Sequence, residues 1–109
     1  MLLIFGGLPG TGKSTIARLL AARLGAVWLR IDSIEQALIC AKTVTLHDIG
    51  PAGYLVAYAI AADNLRLGNV VIADSVNPIA ITRHAWREVA TENAVPFLEI
   101  ELTCTDQTQ

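Results

Sequence analysis

Short apolar runs alternate with segments of helical periodicity along most of this chain. Leu2 to Phe5 is a continuous apolar run closed by Gly6 and Gly7, which is typical of a strand buried on both faces of a parallel sheet. From Ser14 to Leu24 the apolar residues recur at helical spacing, and Gly25 follows as a stop signal. The chain is therefore predicted to begin with a strand, a glycine-rich turn and a helix.

The later elements follow from the same two periodicities and from capping residues. The sequence predicts further strands over Ala26–Ile31, Asn69–Asp74 and Phe97–Leu102, and helices over Asp32–Ile39, Pro51–Gly68 and Asn77–Asn93. Asp32 or Ser33 is predicted to cap the second helix, and Ala41 to Gly50 is predicted to be a loop. The helix after Pro51 is apolar nearly all round, so we expect it to be covered.

The order β-α-β-α-α-β-α-β predicts an α/β fold. We expect one domain over residues 1–109, a three-layer α/β sandwich with a parallel sheet of about four strands. The last strand carries Glu99 and Glu101 on one face, so it is expected to be less buried than the others. Sheets of this kind bind ligands at the carboxyl ends of their strands.

The glycine-rich turn carries a phosphate-binding signature. Its residues match G-x-x-x-x-G-K-[ST] at every fixed position, and Thr15 follows them: Gly7, Leu8, Pro9, Gly10, Thr11, Gly12, Lys13 and Ser14. Glycines permit close backbone approach, so successive N–H groups can surround phosphates. Lys13 is predicted to contact the β- and γ-phosphates of ATP, and Ser14 to bind Mg²⁺. The alternative is a plain turn with a solvated lysine, but the predicted strand before and helix after favour a P-loop.

Two aspartates are predicted to end strands on the rim of the sheet that holds the P-loop. Asp32 ends the second strand, where a carboxylate can accept a proton from an attacking hydroxyl, and its alternative role is a helix N-cap. Asp74 closes the third strand, the position of a carboxylate that contacts Mg²⁺ or its water shell, and its alternative role is a turn aspartate. The spacing of the residues alone does not decide between the two roles of either aspartate.

The composition and net charge of the chain limit the partners and the location that we expect for it. Hydrophobic residues make up 53% and charged residues 17% of the chain, so part of its apolar surface is expected to meet something outside it. The net charge of −2 and the absence of a basic cluster argue against a nucleic-acid partner. The longest apolar run, Tyr54 to Ala62, falls short of the ~20 residues that span a bilayer, so no membrane partner is expected. Cys40 and Cys104 are expected to be buried free thiols in a cytoplasmic protein.

Four segments together resemble one group of P-loop kinases, which includes polynucleotide 5′-kinase, zeta toxin, gluconate kinase and chloramphenicol phosphotransferase. They are the P-loop, Trp28–Ser33, Val71–Ser75, and Asn77-Pro78 followed by Arg83 and Trp86. The resemblance covers nearly the whole chain. It implies transfer of the γ-phosphoryl of Mg-ATP to a hydroxyl, with the residue matching Asp32 as general base.

The segment after Asp32 bears on the acceptor. Polynucleotide kinases resemble D-x-x-R here, with the Arg holding an acceptor phosphate, whereas this chain has Glu35 at that spacing. The Asp-Ser start is more similar to chloramphenicol phosphotransferase. The resemblance therefore implies a small neutral alcohol as acceptor, and a polynucleotide 5′-hydroxyl is the alternative.

Members of that group continue past the fourth strand into an arginine-bearing lid and a fifth strand, whereas no Lys or Arg follows Arg87 here. The chain is therefore expected to be a C-terminally incomplete kinase domain with slow turnover, because arginine fingers are worth about 10³ to 10⁵ in rate. The open edge beside the fourth strand is expected to make it a homo-oligomer. A nucleotide-binding module without catalysis is a further alternative. A signalling GTPase is disfavoured, because the sequence has no N-K-x-D segment to recognise guanine. A motor NTPase is disfavoured, because Ser75 follows Asp74 where such a protein has a glutamate that activates water.

The remaining histidines, arginines and aromatics have simpler predicted roles. His47 and His84 lack partners at metal-ligand spacing and are predicted to be surface or capping residues. Arg83 and Arg87 are predicted to lie on a solvated helix face. The larger aromatics are predicted to lie in or at the edge of the core: Trp28, Trp86, Tyr54 and Tyr58.

Overall fold

The computed structural model describes residues 1–7, 12–42, 51–75 and 80–102. Within those ranges the strands are β1 (Leu2–Gly7), β2 (Val27–Arg30), β3 (Val71–Asp74) and β4 (Phe97–Leu102). The helices are α1 (Lys13–Leu24), α2 (Ile31–Cys40), α3 (Ala52–Arg66) and α4 (Ala80–Glu92). The predicted order of strands and helices is confirmed. The predicted cap at Asn77-Pro78 lies outside the described residues.

The four strands form one parallel sheet in the order β2-β3-β1-β4. The carboxyl ends of β1, β2 and β3 lie side by side, because Asp74 pairs with Phe5 on one side and with Arg30 on the other. Parallel strands need crossover helices, which bring each following helix back over the sheet. The turn after β1 and the end of β3 therefore meet at one edge of the sheet.

The sheet is covered by helices on both faces, which confirms the predicted α/β sandwich. On one face Leu3, Phe5 and Ile72 pack against Ala17 and Ala21 of α1. On the other face, the strands pack against α3 and α4 through a second cluster, which includes Leu2, Ile4, Ala57, Ala61 and Trp86. Full burial of a large aliphatic side chain contributes roughly 1.5–3 kcal/mol, so these clusters are the main source of the sheet's stability.

The start of α2 differs from the prediction. The helix begins at Ile31, its N-cap position is Arg30, and no side chain caps it. The predicted cap at Asp32 or Ser33 is therefore wrong, because both residues lie inside the first turn. Ile31 is buried in the core, so packing of that side chain sets the start of the helix and overrides the local capping preference.

The covering of α3 also differs from the prediction. Its buried residues recur every four positions and are mostly small: Gly53, Ala57, Ala61 and Leu65. The opposite side leaves Leu55, Val56 and Ile60 exposed. The expectation that this helix is covered all round is wrong, because a stripe of small residues lets one side approach its neighbours closely and leaves the larger side chains outside.

The edge strand β4 is less buried than the others, as predicted, with Phe97 and Leu98 exposed. Its two glutamates bind α4. Arg87 donates from Nε to Glu99 Oε2 at 2.6 Å and from Nη2 to Glu99 Oε1 at 3.1 Å, and Arg83 Nη1 lies 3.5 Å from Glu101 Oε1. Both arginine side chains are partly exposed, as predicted for a solvated helix face, and they also join α4 to β4.

Two smaller predictions also concern single side chains. Cys40 is exposed, so the expectation of a buried thiol is wrong there, whereas Cys104 and His47 lie outside the described residues. Trp86 is buried and meets Tyr58 edge-on at 4.7 Å between ring centroids, as a core aromatic should. None of the helices in the described ranges is long and apolar enough to cross a bilayer.

Candidate nucleotide-binding site

The segment between β1 and α1 holds the first part of the site. β1 ends at Gly7 and α1 begins at Lys13, with Gly12 at the N-cap in a left-handed conformation, φ 80°. A side chain at Gly12 would be strained in that conformation, which explains the glycine. The predicted loop residues Leu8, Pro9, Gly10 and Thr11 lie outside the described residues.

The N-terminus of α1 has backbone donors that no carbonyl of the helix can accept. The helix ladder begins with the bond from Ile16 N–H to the Gly12 carbonyl, at 3.1 Å. The preceding amides, on Lys13, Ser14 and Thr15, therefore have no acceptor within the helix. The first turn carries no acidic side chain, so the positive end of the helix dipole is not neutralised there. A phosphate fits these amides.

The side chains of Lys13 and Ser14 converge on Asp74. Lys13 Nζ donates to Asp74 Oδ1, and Ser14 Oγ donates to Asp74 Oδ2 at 3.3 Å. The pair of Lys13 and Asp74 is buried, with only 6% and 2% of the two side chains exposed. The fold thus joins the lysine and serine of the predicted P-loop to the aspartate that ends β3, across about 60 residues of sequence.

A fourth residue, Trp28, belongs to this cluster, although its sequence pattern predicts only a position in or at the edge of the core. Trp28 Nε1 donates to Asp74 Oδ2 at 3.0 Å, and the guanidinium of Arg30 lies 5.3 Å from the centroid of its ring. The signal that could have found it is positional. An indole N–H near the end of one strand can reach a carboxylate that ends the neighbouring strand.

Ser14 and Asp74 are suitable ligands for magnesium. A hydroxyl and a carboxylate oxygen lie within hydrogen-bond distance of each other here, and both are hard oxygen donors of the kind that Mg²⁺ prefers. The described residues contain no cluster of three or more His, Cys, Asp or Glu side chains. This pair therefore fits an ion that is shared with nucleotide phosphates, which is the usual way in which Mg²⁺ binds at such sites.

The predicted general base, Asp32, lies apart from this cluster. It is exposed in the first turn of α2, two residues beyond Arg30, the strand partner of Asp74. Its side chain forms no hydrogen bond or ion pair with any described residue. Asp32 is therefore on the expected rim of the sheet, and its catalytic role stays a prediction.

Glu35 lies one turn further along α2 and faces α3. A Cβ at Gly53 would lie 2.7 Å from Glu35 Cγ, so any other residue there would force the Glu35 side chain to shift. Burial against α3, and to a smaller extent the neighbouring Asp32 carboxylate, raise the pKa of Glu35 above its usual value of 4.5. The start of α2 therefore presents two carboxylates and disfavours a negatively charged ligand group.

A small pocket lies beside the site, at the carboxyl ends of β1 and β4. Its volume of about 30 Å³ is enough for one water molecule. Arg83 Nε and Trp86 Nε1 are buried beside it and have no hydrogen-bond partner within the described ranges. His84 lies elsewhere on α4, exposed, with Nε2 3.6 Å from Glu88 Oε1, which agrees with the predicted surface role.

Comparisons with known proteins agree with this geometry. The sequence profile of the AAA domain family matches residues 2–109. A probable adenylyl-sulfate kinase of Aeropyrum pernix is 34% identical over 100 residues, which cover 86% of this chain and 54% of that protein. A presumed kinase of Chloroflexus aurantiacus superposes with a TM-score of 0.81 at 22% identity, over 94% of this chain and 58% of the other.

Two further solved structures show the same fold. The adenosine 5′-phosphosulfate (APS) kinase CysC of Mycobacterium tuberculosis superposes with a TM-score of 0.73 at 24% identity, over 93% of this chain and 73% of that one. A gluconokinase of Sinorhizobium meliloti superposes with a TM-score of 0.61 at 18% identity, over 96% of this chain and 58% of that one. The chain spans little more than half the length of the Aeropyrum and Chloroflexus proteins.

Proposed function

This chain belongs to the AAA domain family, and from that premise we propose that it is a P-loop kinase, which binds Mg-ATP and transfers the γ-phosphoryl group to a hydroxyl of a small molecule. The observation that carries the proposal is the convergence of Lys13 and Ser14 on Asp74, next to the first amides of α1. A lysine, a hydroxyl and a carboxylate in this arrangement are the parts that phosphoryl transfer by P-loop enzymes requires.

Each residue of the site has a role in the proposed reaction. The amides of α1 bind phosphate oxygens, and Lys13 exchanges its bond to Asp74 for the β- and γ-phosphates. Mg²⁺, held by Ser14 and Asp74, would neutralise charge on the phosphates. Asp32 accepts the proton of the attacking hydroxyl. The reaction takes place in the cytoplasm, where ATP is available.

The acceptor is proposed to be a small neutral alcohol. The carboxylates of Asp32 and Glu35 share the start of α2, and a negatively charged acceptor group would be repelled there. The names of two relatives also indicate small acceptors, since one is described as a kinase of adenylyl sulfate and the other as a kinase of gluconate. Both of those compounds are anionic, so they form a sharp comparison with neutral alcohols.

Coupled measurement of ADP release tests the proposal. The chain is supplied with Mg-ATP alone, with a panel of neutral alcohols, with gluconate and with adenylyl sulfate. Stimulation by a neutral alcohol, with the phosphorylated alcohol identified by mass spectrometry, supports the proposed acceptor class. Stimulation only by adenylyl sulfate or gluconate would replace it with an anionic acceptor, and stimulation by a DNA 5′-hydroxyl end would make the chain a polynucleotide kinase.

A second candidate function is nucleotide binding with little transfer. The arginines of α4 are both held by glutamates of β4, Arg87 by Glu99 and Arg83 by Glu101, so neither is free to contact a transferring phosphoryl group. Without these two arginines, less positive charge faces that group, and the loss of an arginine finger costs about 10³ to 10⁵ in rate. In this case the ADP assay shows no stimulation by any acceptor although ATP binds.

A further inference from the structure

We propose that Trp28 is a positioning residue of the nucleotide site: its indole N–H holds the Asp74 carboxylate in place when phosphates draw Lys13 away. This inference rests on the proposed function, because it concerns the same site. The inference goes beyond the proposed function because it gives a role to a residue on β2, which lies outside the P-loop and outside the strand that bears the carboxylate.

The hydrogen bonds of Asp74 single out Trp28 among its donors. Among the described residues, three side chains donate to the carboxylate: Lys13 to Oδ1, and both Ser14 and Trp28 to Oδ2. Lys13 and Ser14 belong to the phosphate-binding segment, and their groups are the ones that a nucleotide and its metal recruit. Trp28 is the uncharged donor that lies outside that segment, so its bond can persist through the exchange.

The reach of Trp28 follows from the register of the sheet. Trp28 pairs with Ile72 and Arg30 pairs with Asp74, so Trp28 lies two positions before the strand partner of the carboxylate. Side chains two apart on a strand share a face, and Trp28 packs with the cluster beneath α1. A long indole can cover this diagonal between neighbouring strands.

The ring of Trp28 is itself held in place. Arg30, two residues later on the same strand, places its guanidinium 5.3 Å from the ring centroid, within the range of a cation–π interaction. The ring is also partly buried against the core. The N–H is therefore directed at Asp74 before any ligand binds, which is what a positioning role requires.

Because Asp74 is buried, the loss of its hydrogen bond from Trp28 would be costly. Asp74 is only 4% exposed, so water cannot replace a lost donor easily. When Lys13 turns to phosphate, the carboxylate loses its donor on Oδ1. A fixed donor on Oδ2 then keeps the carboxylate oriented toward the Ser14 side of the site.

The second tryptophan of the chain supplies a matched control. Trp86 is buried in the core, and its Nε1 has no hydrogen-bond partner in the described part of the chain. Trp28→Phe removes a ring N–H that donates to Asp74, whereas Trp86→Phe removes one without a described acceptor. The two variants therefore make the same chemical change and differ in whether Asp74 loses a donor.

The experiment is calorimetric titration of the full chain with ADP, once with Mg²⁺ and once with EDTA. Trp28→Phe is expected to weaken binding in Mg²⁺ about tenfold, the scale of one hydrogen bond to a charged group, and to leave binding in EDTA within about twofold of the wild type. Trp86→Phe is expected to lower the melting temperature through lost packing and to leave both affinities unchanged.

A spectroscopic measurement covers the case in which Trp28→Phe does not fold. The chain has two tryptophans, so Trp86→Phe leaves Trp28 as the sole indole fluorophore. Its emission with ADP is expected to differ between Mg²⁺ and EDTA, because the partners of Asp74 differ between the two states. Identical emission in the two conditions would overturn the proposal.

The outcomes separate this inference from the proposed function. No binding of ADP by the wild-type chain overturns the nucleotide site and the role of Trp28 together. Binding by the wild type with unchanged affinity in Trp28→Phe overturns the inference alone. An equal loss in Mg²⁺ and in EDTA also overturns it, since that result describes a merely structural tryptophan.

Discussion

Asp74 is the residue at which the P-loop, β2 and β3 meet. It accepts hydrogen bonds from Lys13, Ser14 and Trp28, and it is almost completely buried. Its pair with Lys13 leaves neither charge without a partner in the low-dielectric interior, where an unpaired charge is costly. When a nucleotide binds, Lys13 must therefore exchange Asp74 for phosphate, and Asp74 must exchange Lys13 for other partners. The affinity for nucleotide depends on the difference in free energy between these two sets of contacts.

Removal of the P-loop lysine should abolish stabilisation by nucleotide. Lys13→Ala removes the charge that faces the phosphates, and it also leaves Asp74 without its cation, which costs on the order of 3 kcal/mol of stability. The measurement is the rise in melting temperature on adding Mg-ATP, taken for each variant against its own baseline. Lys42→Ala, at the other lysine of the chain, which is exposed, should keep the rise. An equal rise in Lys13→Ala would contradict the P-loop assignment.

Asp32→Asn should lower transfer without disturbing nucleotide binding. The carboxylate is exposed in the first turn of α2, so its loss costs at most about 1 kcal/mol through the helix dipole. Loss of a general base lowers the rate by roughly 10² or more, measured as acceptor-dependent ADP release. Asp63→Asn, an exposed aspartate on α3, is the control. If Asp32→Asn keeps full activity and melts well below the wild type, its role is structural.

The sequence predicts the position of a single site residue when a local pattern specifies that residue. Lys13 and Ser14 follow from the P-loop motif, and Asp74 follows from its place after a buried strand. The role of Trp28 follows from its position near the end of β2 only once the neighbour of β3 is known, because its bond to Asp74 depends on which strand lies beside β3. The order of strands is a property of the whole sheet, and no spacing within the chain encodes it directly.

Helix α4 and strand β4 are joined by two arginine–glutamate pairs, of which Arg87 and Glu99 form the closer one. The hydrogen bond from Arg87 lowers the pKa of Glu99 below its usual value of 4.5, and the charges of Arg87 and Arg83 act in the same direction. A carboxylate with a lowered pKa stabilises the fold when it is ionised. That contribution is complete above about pH 4.5 and is lost as the pH falls through the lowered value.

Glu99→Gln should therefore be less stable than the wild type at neutral pH, and the difference should shrink as the pH falls below about 4.5. Denaturant unfolding at several pH values measures this. Glu92→Gln, at the end of α4, provides the control, since no described residue forms an ion pair with Glu92. A difference between Glu99→Gln and the wild type that stays constant down to pH 3 would show that the charge of Glu99 does not stabilise the fold.

At the scale of elements, the sequence predicts their type and order better than their ends. Strong periodicity identifies α1 and the buried strands, whereas the start of α2 depends on Ile31 entering the core. The exposed side of α3 could not be predicted from composition either. Its apolar residues surround the helix, and only the packing of Gly53, Ala57 and Ala61 decides which side is buried.

The sheet of the described residues has two outer strands, β2 and β4, and β4 is the more exposed of the two. β4 pairs with β1 on one side, and the described residues supply no strand on its other side. The apolar side chains of Phe97 and Leu98 are exposed on it. An open apolar edge favours pairing with another strand, so we propose that the chain forms a dimer through β4.

Light scattering at micromolar concentration tests this assembly. The wild type should have the mass of a dimer, and Leu98→Lys should have that of a monomer, because a charge on the edge opposes strand pairing. Leu55→Lys, on the exposed side of α3, should stay dimeric. A monomeric wild type would refute the dimer, and dissociation by Leu55→Lys alone would move the interface to α3.

The most direct test of the nucleotide site is hydrogen exchange at single backbone amides, measured by NMR with and without Mg²⁺ and a non-hydrolysable ATP analogue. The amides of Lys13, Ser14 and Thr15 have no acceptor within α1, so they should exchange quickly in the free chain. Binding of phosphates to the helix N-terminus should slow the exchange of these three amides more than that of the rest of α1. Unchanged exchange at all three, under conditions in which the analogue is bound, would place the nucleotide elsewhere and contradict the account.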